Sequence, residues 1–106
     1  MYVQVDLRVQ PPAVSLEEPD DTTRFRLEVV GGEDRGRVFG ALVDAAAGRL
    51  EGEDACIAVD AVRRLAAGRV GPDWPRDFAA MLDHAAAKGW LDETGSTIRA
   101  NIELVP

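Results

Sequence analysis

At 106 residues, 46% hydrophobic and 29% charged, the chain has the make-up of one globular domain that can bury a modest core without cross-links. A formal net charge of −7 and a pI near 4.6 argue against general affinity for nucleic acid or for an anionic membrane surface. A lone cysteine, Cys56, excludes an intrachain disulfide and points to a reducing, cytoplasmic setting, while the lack of a basic–apolar leader or of an apolar run near about 20 residues predicts neither a signal peptide nor a membrane span. Arginine far outnumbers the single Lys88 and alanine is abundant, the mark of a GC-rich, bacterial type of coding sequence.

Tyr2 to Gln10 alternates Val3, Val5, Leu7 and Val9 with polar residues, which predicts a strand with one buried face, ended by Pro11-Pro12. Residues 11–22, rich in acid and bearing Pro19, read as a long mobile loop. Thr23 to Val30 alternates again through Phe25, Leu27 and Val29 before Gly31-Gly32 breaks the pattern. Three helices are expected next. The first runs from about Asp34 to Ala47, burying Val38, Phe39, Leu42, Val43 and Ala46, with Gly48 as a left-handed cap. The second runs from about Asp54 to Ala67, burying Ile57, Ala58, Ala61, Val62 and Leu65. The third runs from about Pro75 to Lys88, with proline at its first position, and buries Phe78, Met81, Leu82 and Ala85. Thr97 to Val105 closes the chain as a strand with Ile98, Ala100, Ile102 and Leu104 inward. The expected fold is a single α+β domain over residues 1–106, a small antiparallel sheet of about three strands packed on one side by three helices.

Little in the sequence resembles a catalytic centre. Gly31-Gly32 before a helix could cradle a phosphate, but Glu33 and Asp34 stand where the phosphate would sit and no nucleotide-binding glycine pattern is present. The acidic pairs Glu33-Asp34, Glu53-Asp54 and Asp73 with Asp77 are placed to cap helix starts, and Arg49, Arg63, Arg64, Arg69 and Lys88 to complement helix ends. His84, the only histidine, has no nucleophile or second acid set beside it by spacing. Cys56 follows two carboxylates that oppose thiolate formation. No metal site, no cofactor and no enzyme activity is expected on these grounds.

Two groups of residues point to recognition instead. Arg8, Arg24, Arg26 and Arg99 all alternate away from the core, so neighbouring strands would gather them on the uncovered face of the sheet, either in cross-strand ion pairs or as an anion-recognising surface. Trp74, in a Gly-Pro-Asp-Trp-Pro connector, is a candidate interface anchor, whereas Trp90 reads as core. The second helix, the connector, the third helix and the hairpin around Asp92-Glu93-Thr94-Gly95 resemble the helix-turn-helix and wing of winged-helix proteins over about half the chain. That resemblance implies an alternative winged-helix-like fold with an N-terminal β-hairpin, and a DNA-binding transcription regulator with Arg76 at the start of the recognition helix. The acidic wing tip and near-neutral third helix fit protein docking better than phosphate neutralisation. The function expected is therefore a non-catalytic interaction or assembly module, or an accessory subunit of an enzyme complex, that binds a protein partner or a second copy of itself through Arg8, Arg24, Arg26 and Arg99 or through Trp74, with homodimerisation favoured by the open edges of a small sheet.

Overall fold

The computed structural model describes all 106 residues. Its elements are β1 (Tyr2–Asp6), β2 (Ala13–Glu17), β3 (Arg26–Val30), α1 (Arg35–Asp44), β4 (Gly48–Glu51), β5 (Asp54–Ala58), α2 (Val59–Ala66), α3 (Trp74–Ala87) and β6 (Thr97–Val105). The six strands form one mixed sheet in the order β2-β1-β3-β6-β5-β4, curled into a half-barrel. β1 pairs parallel with β3, and β3 parallel with β6, while β1–β2, β5–β6 and β4–β5 are antiparallel.

This corrects both folds expected from the sequence. The sheet is neither three-stranded nor wholly antiparallel, and no winged helix is present. The strand that would form the far side of the wing, β6, is an interior member of the six-stranded sheet. The three strands expected from period-2 alternation are present as β1, β3 and β6, but β1 stops at Asp6 with Val9 44% exposed, β3 begins only at Arg26, and neither neighbour nor direction is encoded in alternation. Residues 11–22 do not form one long loop: Val14 and Leu16 alternate just enough to make β2, which pairs with β1 through Val3↔Leu16 and Val5↔Val14. The expected second helix began too early. Asp54–Ala58 is a strand, Glu51-Gly52-Glu53-Asp54 turns a hairpin, and the helix starts only at Val59. Ala55, Ile57 and Val59 fit a strand face while Ile57, Ala58, Ala61, Val62 and Leu65 fit a helix face, and the alanines tipped the local reading toward helix.

The buried side chains come from the concave side of the sheet and from the helices laid against it. Val3, Val5, Leu16, Leu27, Val29, Ile57 and Ile98 meet Val38, Leu42, Val62 and Phe78 in one cluster, and no polar or charged residue is buried. α1 touches β4 and β2, the two outermost strands, and α2 touches β2 and β5. Both helices therefore sit in the trough of the curl, which is why the two edges bend toward each other. The Asp34 side chain caps α1 by accepting from Arg37 N at 3.2 Å. Of the residues expected inside, Val38 and Leu42 are buried together with Ala41, but Phe39 and Val43 are 47% and 52% exposed on the flank of α1, and Ala46 beyond its end is exposed as well. None of the helices is long and apolar enough to cross a membrane.

Gly48 is not a helix cap but the first residue of β4, and it is the tightest backbone approach in the sheet. Its φ is +149°, and a Cβ there would stand 2.1 Å from the Cys56 carbonyl oxygen. Gly48→Ala is expected to cost roughly 2–3 kcal/mol or more, since strain and a backbone clash add. Gly52→Ala, at φ +60° with open space around it, should cost only about 1 kcal/mol. Urea unfolding of the two variants checks this, and equal small losses would contradict the close β4–β5 packing.

Candidate functional site: a cleft where the sheet divides

β6 changes neighbours along its length. On one side it pairs with β5 from Thr97 to Asn101. On the other side its first residues pair with a short returning segment, through the Leu91↔Ile98 bridge and an Arg99 N donation to Trp90 O at 2.7 Å. Only from Ile102 onward is that side taken by β3, beginning at Leu27↔Ile102. Between the two partners the sheet divides, and a cleft of about 480 Å³ opens there. It is lined by Thr23, Arg24, Phe25 and Arg26 on the approach to β3, by Met81, His84 and Ala85 of α3, by Trp90, and by Ile98, Arg99, Asn101 and Glu103 of β6.

The chain fixes Trp90 at this cleft by ordinary helix-end chemistry. Lys88 is the C-cap of α3 and Gly89 follows it at φ +78°. Gly89 N donates to Ala86 O at 3.1 Å and Trp90 N to Ala85 O at 2.8 Å, the paired bonds of a Schellman motif. Two residues later Asp92 organises the turn into β6. Its carboxylate accepts from Ser96 N at 2.7 Å, from Thr97 N at 3.3 Å and from the Thr97 hydroxyl at 3.1 Å. Desolvation works against the charged form, but these bonds outweigh it and hold the Asp92 carboxyl below the usual aspartate range. The acid at the presumed wing tip is thus a turn-forming group.

Trp90 is 46% exposed and Trp74 only 7%, the reverse of the expectation. Cross-strand pairing of Leu91 with buried Ile98 sends Leu91 toward the core, and alternation then turns Trp90 outward. Trp74 stacks on Phe78 with ring centroids 4.6 Å apart, and its indole N–H donates to Pro19 O at 2.7 Å. It therefore serves the core and pins the β2–β3 connection, with little surface left to anchor a partner.

Of the four arginines singled out from the sequence, Arg24, Arg26 and Arg99 do converge on the cleft; Arg8 does not, and donates to Asp6 at 3.0 Å in the turn after β1. Two of the three are already neutralised. Arg26 pairs with Glu28 and with Glu103 at 3.2 Å and lies over the Tyr2 ring, 4.4 Å from its centroid. Arg99 stands 3.6 Å from Glu51 and 4.0 Å from Asp54. The bland reading of the sheet face, cross-strand ion pairs, holds for these two. Arg24 makes no ion pair or side-chain hydrogen bond, so it carries the unbalanced charge of the cleft. His84 stands edge-on to Trp90, with ring centroids 6.2 Å apart. Sequence reasoning missed Trp90, Phe25 and Met81, because the division of the sheet that gathers them depends on which strands pair and not on any local pattern.

Cys56 lies on the convex face of the sheet, outside the cleft, with its thiol 3.2 Å from Glu51 Oε2. Burial and the Glu51 carboxylate push the thiol pKa up, which disfavours a nucleophilic thiolate. No group of three or more His, Cys, Asp or Glu side chains is placed to hold a metal ion. Comparison with protein-family models, with curated proteins and with solved structures gives no match.

The two tryptophans offer a direct check of this end of the molecule. In Trp74→Phe the remaining emission should be red-shifted and readily quenched by acrylamide; in Trp90→Phe it should be blue-shifted and protected. Equal quenching of both would contradict the placement.

Proposed function

We propose that the protein is a non-catalytic interaction module whose cleft holds a carboxylate-bearing segment of a protein partner. The observation that carries this reading is the unpaired Arg24 guanidinium in the same cleft as the half-exposed Trp90. A guanidinium offers a planar, two-pronged donor to a carboxylate, and tryptophan and arginine are the side chains that most often dominate binding energy at interfaces. Phe25 and Met81 supply apolar and adaptable walls for the segment's uncharged residues. Arg26 and Arg99, held by their own carboxylates, shape the cleft rather than add free charge.

The whole-chain charge limits how such a partner binds. With a net charge of −7, the protein repels an acidic partner at long range, so association gains no electrostatic steering and selectivity must arise from contacts inside the cleft.

A random peptide array probed with the labelled protein tests the proposal. Bound peptides are expected to be enriched in Asp or Glu next to apolar residues, and Arg24→Glu and Trp90→Ala should each lower their binding by about tenfold or more. Enrichment of basic peptides, or retention by both variants, would overturn it.

A further inference from the structure

A second surface, which shares no residue with the cleft lining, is arranged for self-association. β4 is an outermost strand of the sheet. Ala47 O accepts from Ala58 N at 2.8 Å, so the odd-numbered residues of this segment direct their backbone groups to β5, and alternation leaves the N–H and C=O groups of Gly48 and Leu50 facing outward without partners. The same border of the molecule carries the exposed pair Phe39 and Val43. At 100° per residue they lie within about 40° and 80° of Arg35 around α1, and the Arg35 side chain donates to Gly52 O in the β4–β5 turn at 2.6 Å. Arg37, about 160° from Arg35 around the helix, reaches the other way, to Leu7 O. The apolar ridge of α1 therefore flanks the open edge of β4.

We infer that two copies of this chain pair through β4 in antiparallel fashion about a two-fold axis at Leu50, joining their sheets and packing the Phe39–Val43 ridges against each other. The occupant is specified by charge. Edge strands are usually guarded by charged side chains that repel an incoming strand; here Arg49 and Glu51, both about half exposed on one face of β4 and bridged to each other at 3.2 Å, make the edge complementary to itself, because the bridge within one strand can be exchanged for two between copies. An axis at Leu50 sets Arg49 opposite Glu51 of the other copy, twice, and lets the two Leu50 residues exchange both backbone bonds. An axis at Arg49 would instead oppose like charges. A four-residue strand supplies few backbone bonds, so the buried area must come from α1, and the dimer forms in a concentration-dependent way. This association does not rest on the cleft reading; Glu51 also pairs with Arg99 of the cleft lining at 3.6 Å, so R49E and F39D are the variants that separate the two.

Sedimentation velocity over about a hundredfold concentration range tests it, with circular dichroism confirming that each variant is folded. The wild-type chain should pass from monomer to dimer. R49E, which places two carboxylates on the edge, and E51R, which places two guanidiniums there, should each weaken the dimer by about tenfold or more, as should F39D on the exposed ridge. An equimolar mixture of R49E and E51R should recover the dimer, because each then meets its opposite. A wild-type chain that stays monomeric, single variants that dimerise as the wild type does, or a mixture that fails to recover would each overturn the inference.

Discussion

The architecture depends on a single strand with three partners. β6 is hydrogen-bonded to β5 along its first half, to the Trp90–Leu91 segment on the opposite side, and to β3 along its second half. The β2-β1-β3 ladder and the β5-β4 hairpin have no pairing to each other except through it. A parallel strand between β3 and β5 can be reached only by a long crossover, and the crossover here contains α1, the β4–β5 hairpin, α2 and α3. Everything between Gly31 and Ser96 is in that sense the connection that delivers β6 to its place. Because β6 must satisfy β3 at one end and a local hairpin at the other, the sheet divides at Asn101–Ile102, and the cleft is the space left by that division.

The charges follow the same frame. Parallel pairing of β3 with β6 sets Glu28 beside Glu103, and Arg26 lies between them in ion pairs with both. Antiparallel pairing of β6 with β5 and β4 sets Arg99 near Asp54 and Glu51. Exposed pairs of this kind contribute little to stability, and the convex face stays acidic, with Asp6, Glu17, Glu28, Glu51, Asp54 and Glu103 set against Arg26, Arg49 and Arg99. Arg24, just before β3 begins, has no cross-strand neighbour to neutralise it. The proposed recognition surface is a remainder: the place where strand pairing, and with it charge matching, runs out.

Single elements of this layout were legible in the sequence but the sheet they build was not, and the failures have identifiable physical causes. The bounds of β6 are read correctly to the residue, although Leu104, expected inward, is 53% exposed; the third helix is read to within one residue, and the cap at Lys88-Gly89-Trp90 is visible because glycine after a helix has a distinctive role. Parity puts Arg26 and Arg99 on one face, but their gathering with Arg24 needs the pairing of β3 with β6, and the same parity wrongly included Arg8. Strand direction, the six-strand count and the cleft do not follow from parity either, since they depend on pairings between distant segments. β2 was hidden by its five-residue length and flanking prolines, and β5 by alanines that suit a helix face as well as a strand face. Trp90 was misplaced because an aromatic beside Leu91 looks like core until its register against Ile98 is known. Phe39 and Val43 fit the helical apolar stripe but fall on its rim, where the narrow trough of the curled sheet does not reach.

The division of the sheet at β6 is the claim on which the cleft rests, and inter-strand nuclear Overhauser effects test it most directly. The Arg99 amide proton should show contacts to Trp90, and the Arg99 Hα to the Cys56 Hα on the other side, with contacts to β3 appearing only from Ile102 onward. Contacts from β3 to Thr97 or Ile98 would mean that β3 runs alongside the whole of β6, closing the cleft and contradicting the account.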